Sequence, residues 1–583
     1  MILKYLKARD WAMVAACAVL IAVMVYLELE IPGYMSSITT QLNLPNTDLD
    51  LIYHDGGMMI LCAFGSLVVS IVVGFMAALI AASLARTLRE KEFDRVQSFS
   101  SEEMNRFSTS SLITRSTNDI TQIQMTVAMG LMIVIRAPIM AVWAVMKIAD
   151  KNWEWSVVTA AAVVVVLLTI GIVMLYVVPR FKRIQGLTDN VNRITRENLS
   201  GIRVVRAYNA EGYQEGKFDG ANSELTDVNL SANRALAGLM PVMMLVMNGL
   251  SLAIYWVGAI LIDQAGAGPE ALSLFSDMVV FTSYAMQIVM AFIMMVIILM
   301  ILPRAMVASR RVQEMICTEP SITDGSGTPP EGMDGTVEFR DVSFRYPGAG
   351  GDVLRNISFK ASKGETVAFI GATGSGKTTI VDLVPRFYDA TSGQVLVDGM
   401  DVRDYRLSDL RSRLGYVPQR SFMFRGTIGS NVRYGDTSGD RTDEDVRRAV
   451  EIAQARDFVE SKPKGYEDEV AQGGTNLSGG QKQRLSIARA VCRKPEIYIF
   501  DDTFSALDYR TDRTLRAALR RETAGTTTLI VAQRIGTIMD ADRIVVVKDG
   551  EVAGIGRHEE LLRTCPAYLE IARSQLSEEE LGL

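Results

Sequence analysis

Residues 366–379 read TVAFIGATGSGKTT. An apolar run with a β-branched residue leads straight into a glycine-rich stretch closed by Lys377, Thr378 and Thr379. Gly371, Gly376, Lys377 and Thr378 stand at the spacing of a phosphate-gripping loop set between a strand and a helix. The spacing has a physical reason. Glycines let backbone N–H groups curl around an anion, and the start of a helix adds positive potential. Lys377 is placed to reach β- and γ-phosphates and Thr378 to reach a Mg²⁺ ion, with Thr373, Gly374, Ser375 and Thr379 completing the contact set.

Further along, Leu477–Gln481 reads LSGGQ and opens the helical pattern QKQRLSIARAV. A serine and two glycines at a helix start form a second anion-favouring position. Soon after comes IYIFDDTFSALD, 497–508, a buried-strand pattern that ends in Asp501 and Asp502. Upstream, VEFRDVSFRYPG at 337–348 alternates as an antiparallel strand does. From about Gly335 onward the chain therefore predicts an α/β domain.

The first half differs. Over 583 residues the chain is 49% apolar and 22% charged, with mean hydropathy +0.19. Its length calls for more than one domain. About 20 apolar residues cross a bilayer, and six stretches qualify, near 11–31, 56–84, 124–148, 155–178, 237–262 and 273–302. Lys and Arg crowd the start (Lys4, Lys7, Arg9) and the connections after the second and fourth stretches, whereas 32–55 and 263–272 carry none. The positive-inside bias then puts both termini in the cytoplasm. The two basic connections are long and helically patterned, so helices are expected to run on into the cytosol and reverse near 106–119 and 206–216. The expected division is an interfacial segment 1–10, a membrane domain 11–315, a Gly- and Pro-rich linker 316–335, a nucleotide-binding domain 336–575 and an acidic tail 576–583.

A net charge of −6 gives no sign of nucleic-acid binding. Cys17, Cys62, Cys317, Cys492 and Cys565 show no metal-like spacing and argue against a disulfide framework. Within the membrane, Arg136 suits either the lining of a cavity or a structural pair with a helix end or a neighbouring acid. Met286, Met290 and Met294, and Met243 and Met247, form stripes suited either to packing or to an irregular apolar ligand.

The order GATGSGKTT, Gln419 in YVPQ, LSGGQ, IYIFDD and SALD resembles the nucleotide-binding domain of ATP-binding cassette (ABC) transporters. With six spans ahead of it, the chain is similar over nearly its full length to a half-transporter of the exporter type. The expected fold is a six-helix membrane domain fused to a cytosolic α/β P-loop domain. The resemblance implies ATP and Mg²⁺ as ligands. It implies Tyr346 as the aromatic that stacks on adenine, Thr378, Gln419 and Asp501 around the metal, Gln419 also as the catalytic-site glutamine that senses Mg²⁺ and the attacking water and links them to the membrane domain, and Ser505–Asp508 as a loop crossing a dimer axis. Ser478, Gly479, Gly480, Gln481 and Asp508 would serve the partner's nucleotide, because in this family each ATP lies between two nucleotide domains. The stretches near 106–119 and 206–216 resemble its coupling helices.

Two positions depart from that pattern. Asp502 stands where the family has a glutamate general base, and Gln533, in LIVAQRIGTI, where it has a histidine. An aspartate is one methylene shorter, and a carboxylate withdrawn by about 1 Å costs ~10²-fold in rate. The chain therefore resembles the degenerate-site subunit of bacterial heterodimeric exporters: it binds ATP, turns it over slowly and lends an intact LSGGQ to a different half-transporter that keeps Glu and His. Such a complex sits in the plasma membrane and moves a hydrophobic or amphipathic substrate. A homodimeric exporter with weak ATPase, an ATP-gated regulator and an importer of exporter architecture stay open as alternatives.

Overall fold

The computed structural model describes residues 2–42, 48–149, 152–266, 268–328, 335–436, 439–505 and 508–577. The chain divides into two compact units. One is Met1–Gln97 with Ser110–Thr318, the other Ser98–Thr109 with Glu319–Leu583.

The first unit is helical. Its elements are α1 (Ala8–Leu42) and α2 (Leu49–Ser98), then, past the short α3 (Ser101–Phe107) of the second unit, α4 (Thr109–Thr114), a π-helical turn at Arg115–Asp119, α5 (Ile120–Ala149), α6 (Trp153–Ser200), α7 (Ile202–Ala207), α8 (Glu211–Ala265) and α9 (Pro269–Cys317). Among the described residues six helical segments are long and apolar enough to cross a membrane. At 1.5 Å per residue the 55 residues of α8 run about 80 Å, well beyond a ~30 Å hydrocarbon core. The first reversal lies at 99–108 and overlaps only the start of the 106–119 stretch expected for it, because 109–119 is already helical. The 206–216 stretch straddles the second reversal, at 208–210.

Close packing holds these helices. Trp155 meets Phe281 with ring centroids 5.5 Å apart, and the Tyr284 hydroxyl donates to the Leu29 carbonyl at 2.9 Å. At Gly258 a Cβ would come within 2.4 Å of Met278 Sδ, so glycine lets α8 and α9 approach. Arg136 finds its acid: an Nη donates to Glu28 Oε2 at 2.8 Å, and eleven residues on Lys147 Nζ reaches Glu30 Oε1 at 2.8 Å. Neither glutamate stood out in the sequence. Met243 is buried in the core, whereas Met286, Met290 and Met294 lie on the less buried face of α9. All five cysteines are free thiols.

The second unit is built on β1 (Val337–Phe344), β2 (Leu354–Ala361), β3 (Thr366–Ile370), α10 (Lys377–Leu383), β4 (Ser392–Val397), β5 (Met400–Asp401), α11 (Leu407–Ser412), β6 (Leu414–Val417), β7 (Gly426–Thr427), α12 (Ile428–Val432), α13 (Asp443–Ile452), α14 (Arg456–Glu460), β8 (Glu469–Val470), α15 (Gly479–Arg493), β9 (Ile497–Asp501), α16 (Tyr509–Glu522), β10 (Thr527–Val531), α17 (Ile535–Ile538), β11 (Arg543–Lys548), β12 (Glu551–Gly556), α18 (His558–Thr564) and α19 (Pro566–Arg573). Strands β2-β1-β4-β5 form an antiparallel sheet. Strands β12-β11-β3-β10-β9-β6 form a second sheet that is parallel except for β12. The parallel strands TVAFI, IYIFD and TTLIV are buried almost throughout and mostly apolar, as strands covered on both faces are. Because β3, β10 and β9 are parallel neighbours, their C-terminal ends deliver three loops to one edge of the sheet, where such sheets place their ligands.

Candidate functional site

The loop after β3 holds Gly371–Gly376. A Cβ on Gly371 would fall 2.0 Å from the Val547 carbonyl oxygen, and one on Gly376, whose φ is +100°, 2.5 Å from Leu354. Gly374 is also left-handed, at φ +83°. A side chain at Gly371 would strike backbone, and at Gly374 and Gly376 the left-handed φ favours glycine. Lys377 opens α10 and is only 7% exposed. Its Nζ donates to the carbonyls of Gly371 at 2.9 Å and Ala372 at 2.7 Å. Burial draws its pKa down, and Asp502 and Asp501 draw it back. Thr378 Oγ1 donates to Asp501 Oδ1 at 2.9 Å, so the two groups expected to flank a Mg²⁺ ion already face each other. Asp501, 2% exposed at the end of β9, is raised in pKa chiefly by burial. These residues fit both ligands: a loop whose glycines bring backbone N–H groups close together, a buried ammonium, and a hydroxyl paired with a carboxylate.

Thr373 and Ser375 belong to the same loop, with Ser375 buried. Thr379 binds Tyr346, their hydroxyls 3.0 Å apart. The half-buried Tyr346 ring meets Tyr388 edge to face at 5.2 Å.

Around Asp502 the structure brings together the three side chains singled out as catalytic. Gln533 Nε2 donates to Asp502 Oδ2 at 2.7 Å, and Gln419 Nε2 reaches the same oxygen at 3.3 Å. Asp502 sits at φ +43°, a left-handed conformation uncommon outside glycine. Its backbone N–H donates to the Val531 carbonyl, which fixes the carboxylate against the loop carrying Gln533. Burial, above all, raises its pKa. The sequence shows Asp502 and Gln533 as two separate departures, and the structure joins them by one hydrogen bond.

The LSGGQ residues lie elsewhere in the unit. Ser478 caps α15 and shares a reciprocal capping box with Gln481. Ser478 and Gly479 are exposed, Gly480 partly so, and nothing lies within 4 Å of a Cβ on Gly479, so the helix start is open. Among the described residues no hydrogen bond links this segment to the phosphate loop. Asp508 caps α16, its Oδ1 accepting from Thr511 N at 2.9 Å, a bond that holds its pKa low. Ala506 and Leu507, within the expected crossing loop, lie outside the described residues.

Sequence reasoning did not single out Asp382 of α10. It accepts from the Tyr416 hydroxyl at 2.9 Å, and burial pushes its pKa up to about 6. Nothing in its local sequence distinguishes it from a solvated helix residue.

Comparison with known proteins places this geometry. Residues 12–292 match the ABC transporter transmembrane region and residues 354–505 the ABC transporter family. An uncharacterized ABC transporter ATP-binding protein of Mycobacterium tuberculosis is 40% identical over 522 residues, covering 89% of this chain and 87% of its own. One from Bacillus subtilis is 36% identical over 91% of each. The ATP-dependent lipid A-core flippase of Pseudomonas aeruginosa is 31% identical, over 91% of this chain and 87% of its own. The solved structure of a bacterial Atm1-family ABC exporter with ATP bound has the same fold, with TM-score 0.81 and 24% identity over 98% of this chain and 99% of that one. The transmembrane match covers the long apolar helices and the ATP-binding match covers the glycine cradle, in one polypeptide and in that order, so this chain belongs to the ABC transporters and carries the exporter-type fold.

Proposed function

We propose that this chain is the slow-site half of a heterodimeric ABC exporter in a bacterial plasma membrane, with both termini cytoplasmic. The direct bond from Gln533 to Asp502 carries the proposal. A general base needs a free, aimed lone pair. Here one of the two carboxylate oxygens, Oδ2, is taken by two amide donors, on a side chain already one methylene short.

The binding apparatus is intact by contrast. Lys377 and the loop N–H groups hold phosphates, Thr378, Asp501 and Gln419 hold the metal, and Tyr346 offers a face to adenine. Bound Mg²⁺ neutralises phosphate charge. Ser478, Gly479, Gly480, Gln481 and Asp508 then complete the nucleotide site of a different half-transporter that retains Glu and His. Hydrolysis proceeds mainly there. The substrate is a hydrophobic or amphipathic molecule, and the relative named a lipid A-core flippase supports a lipid-like one.

The test has two parts. Native mass of the complex purified from its own cell gives its polypeptides, and two different chains at one-to-one are expected. Photo-crosslinked nucleotide recovered from this chain is expected to stay ATP over the turnover time and to become ADP in Asp502→Glu/Gln533→His. Two copies of this chain alone, turning over rapidly, sink the proposal.

A further inference from the structure

Asn105 lies on α3, a seven-residue helix joined to α2 through residues 99 and 100. Its Nδ2 donates to the Tyr388 hydroxyl at 3.0 Å, and Ser101, one turn earlier, also hydrogen-bonds Tyr388. The Tyr388 ring stands edge to face on Tyr346, with centroids 5.2 Å apart and planes at 89°. Phe344 closes the trio at 4.8 Å from Tyr346 and 5.5 Å from Tyr388. Tyr346 in turn binds Thr379 on the phosphate-loop helix. An unbroken series of contacts thus runs from α10, through the ring expected to face adenine, to α3.

The first turn of α3 has a second attachment. Ser321 N donates to Glu103 Oε1 at 3.0 Å, and the hydroxyls of Ser100 and Ser321 meet at 2.9 Å. A capping box at Ser100 and Glu103 stiffens the helix. The attachment through Tyr388 leads to the rings beside the phosphate-loop helix. Edge-to-face ring contacts are directional, so a purine that fixes the tilt of Tyr346 also fixes the edge of Tyr388 and the hydroxyl it presents.

We infer that Tyr388 is a positioning residue that passes purine stacking on Tyr346 to α3 through Asn105, by a route separate from Gln419. The inference rests on Tyr346 serving as the purine face. A spatial series of contacts is not itself coupling, so the test measures coupling.

Hydrogen–deuterium exchange of the full-length chain in its native assembly, held in lipid nanodiscs, reads α3 and the phosphate loop separately. With ATP and Mg²⁺ both segments are expected to slow, α3 by about fivefold, the worth of one hydrogen bond. Tripolyphosphate with Mg²⁺, which has no base, should slow 371–379 and leave α3 unchanged. Asn105→Ala, at an exposed bond, should reduce the slowing at α3, and Tyr388→Phe, which keeps the ring but loses the bonds to both Asn105 and Ser101, should abolish it, each keeping the slowing at 371–379. Persistence at α3 in both variants, or an equal response to tripolyphosphate, overturns the relay. Loss at both segments in the variants also overturns it, since Tyr388 would then act on binding itself. No response to ATP at 371–379 in the unaltered chain overturns the nucleotide reading beneath it.

Discussion

Asp382 shows how one buried carboxyl ties stability to pH. Its pKa is raised to about 6 by burial, opposed by the Tyr416 hydroxyl and reinforced by Asp501. The folded chain therefore keeps a proton that the unfolded chain sheds near pH 4. Its contribution is full below about pH 4 and is lost as pH rises through about 6. Thermal unfolding of this unit is expected to weaken between those values, and Asp382→Asn should flatten that part of the profile. An unchanged slope in the variant would assign the effect to another group. Gly371 makes a steric case. A Cβ there meets a backbone oxygen, which cannot swing aside. Gly371→Ala is expected to cost about 1–3 kcal/mol in overpacking and to lower nucleotide affinity about tenfold or more, read by fluorescent-nucleotide titration.

At the scale of elements, α1 and α5 are joined by opposite charges inside the apolar span. Arg136 and Glu28 are each about a quarter exposed, so the pair is worth less than a dry one. Arg136→Ala leaves a glutamate stranded and should lower the melting temperature. Arg136→Ala with Glu28→Gln should recover much of the loss, and equal losses would deny the pairing. The start of α15 offers a sharper comparison. Ser478→Ala removes the cap and should cost about 1 kcal/mol, measured by exchange over 479–483. If Ser478 also serves a partner's nucleotide, ATPase of the complex falls far beyond what that local loss explains, and Ser478→Thr restores the cap.

At the scale of the whole molecule the question is orientation. Four of the five cysteines are buried and Cys317 is exposed, so Cys317→Ser provides a quiet background for labelling. Gln264→Cys, near the C-terminal end of α8, should react with an impermeant maleimide on intact cells. Glu215→Cys, at the other end of the same helix, should react only after permeabilisation. The opposite pattern would invert the topology.

The sequence alone determined the two-part architecture, because twenty-residue apolar runs and a glycine loop between strand and helix each have few physical solutions. It also exposed Asp502 and Gln533, since a change of residue type at a motif position is visible without coordinates. Contacts between segments distant in the chain were decided only by tertiary structure. Glu28 lies 108 residues from Arg136, Tyr416 lies 34 from Asp382, and Asn105 lies 283 from Tyr388. Periodicity along a chain says which face a residue occupies, and the partner facing it is fixed only when helices and sheets pack. The bond from Gln533 to Asp502 is the clearest instance, for it forms only because β9 and β10 are parallel neighbours that end at the same level.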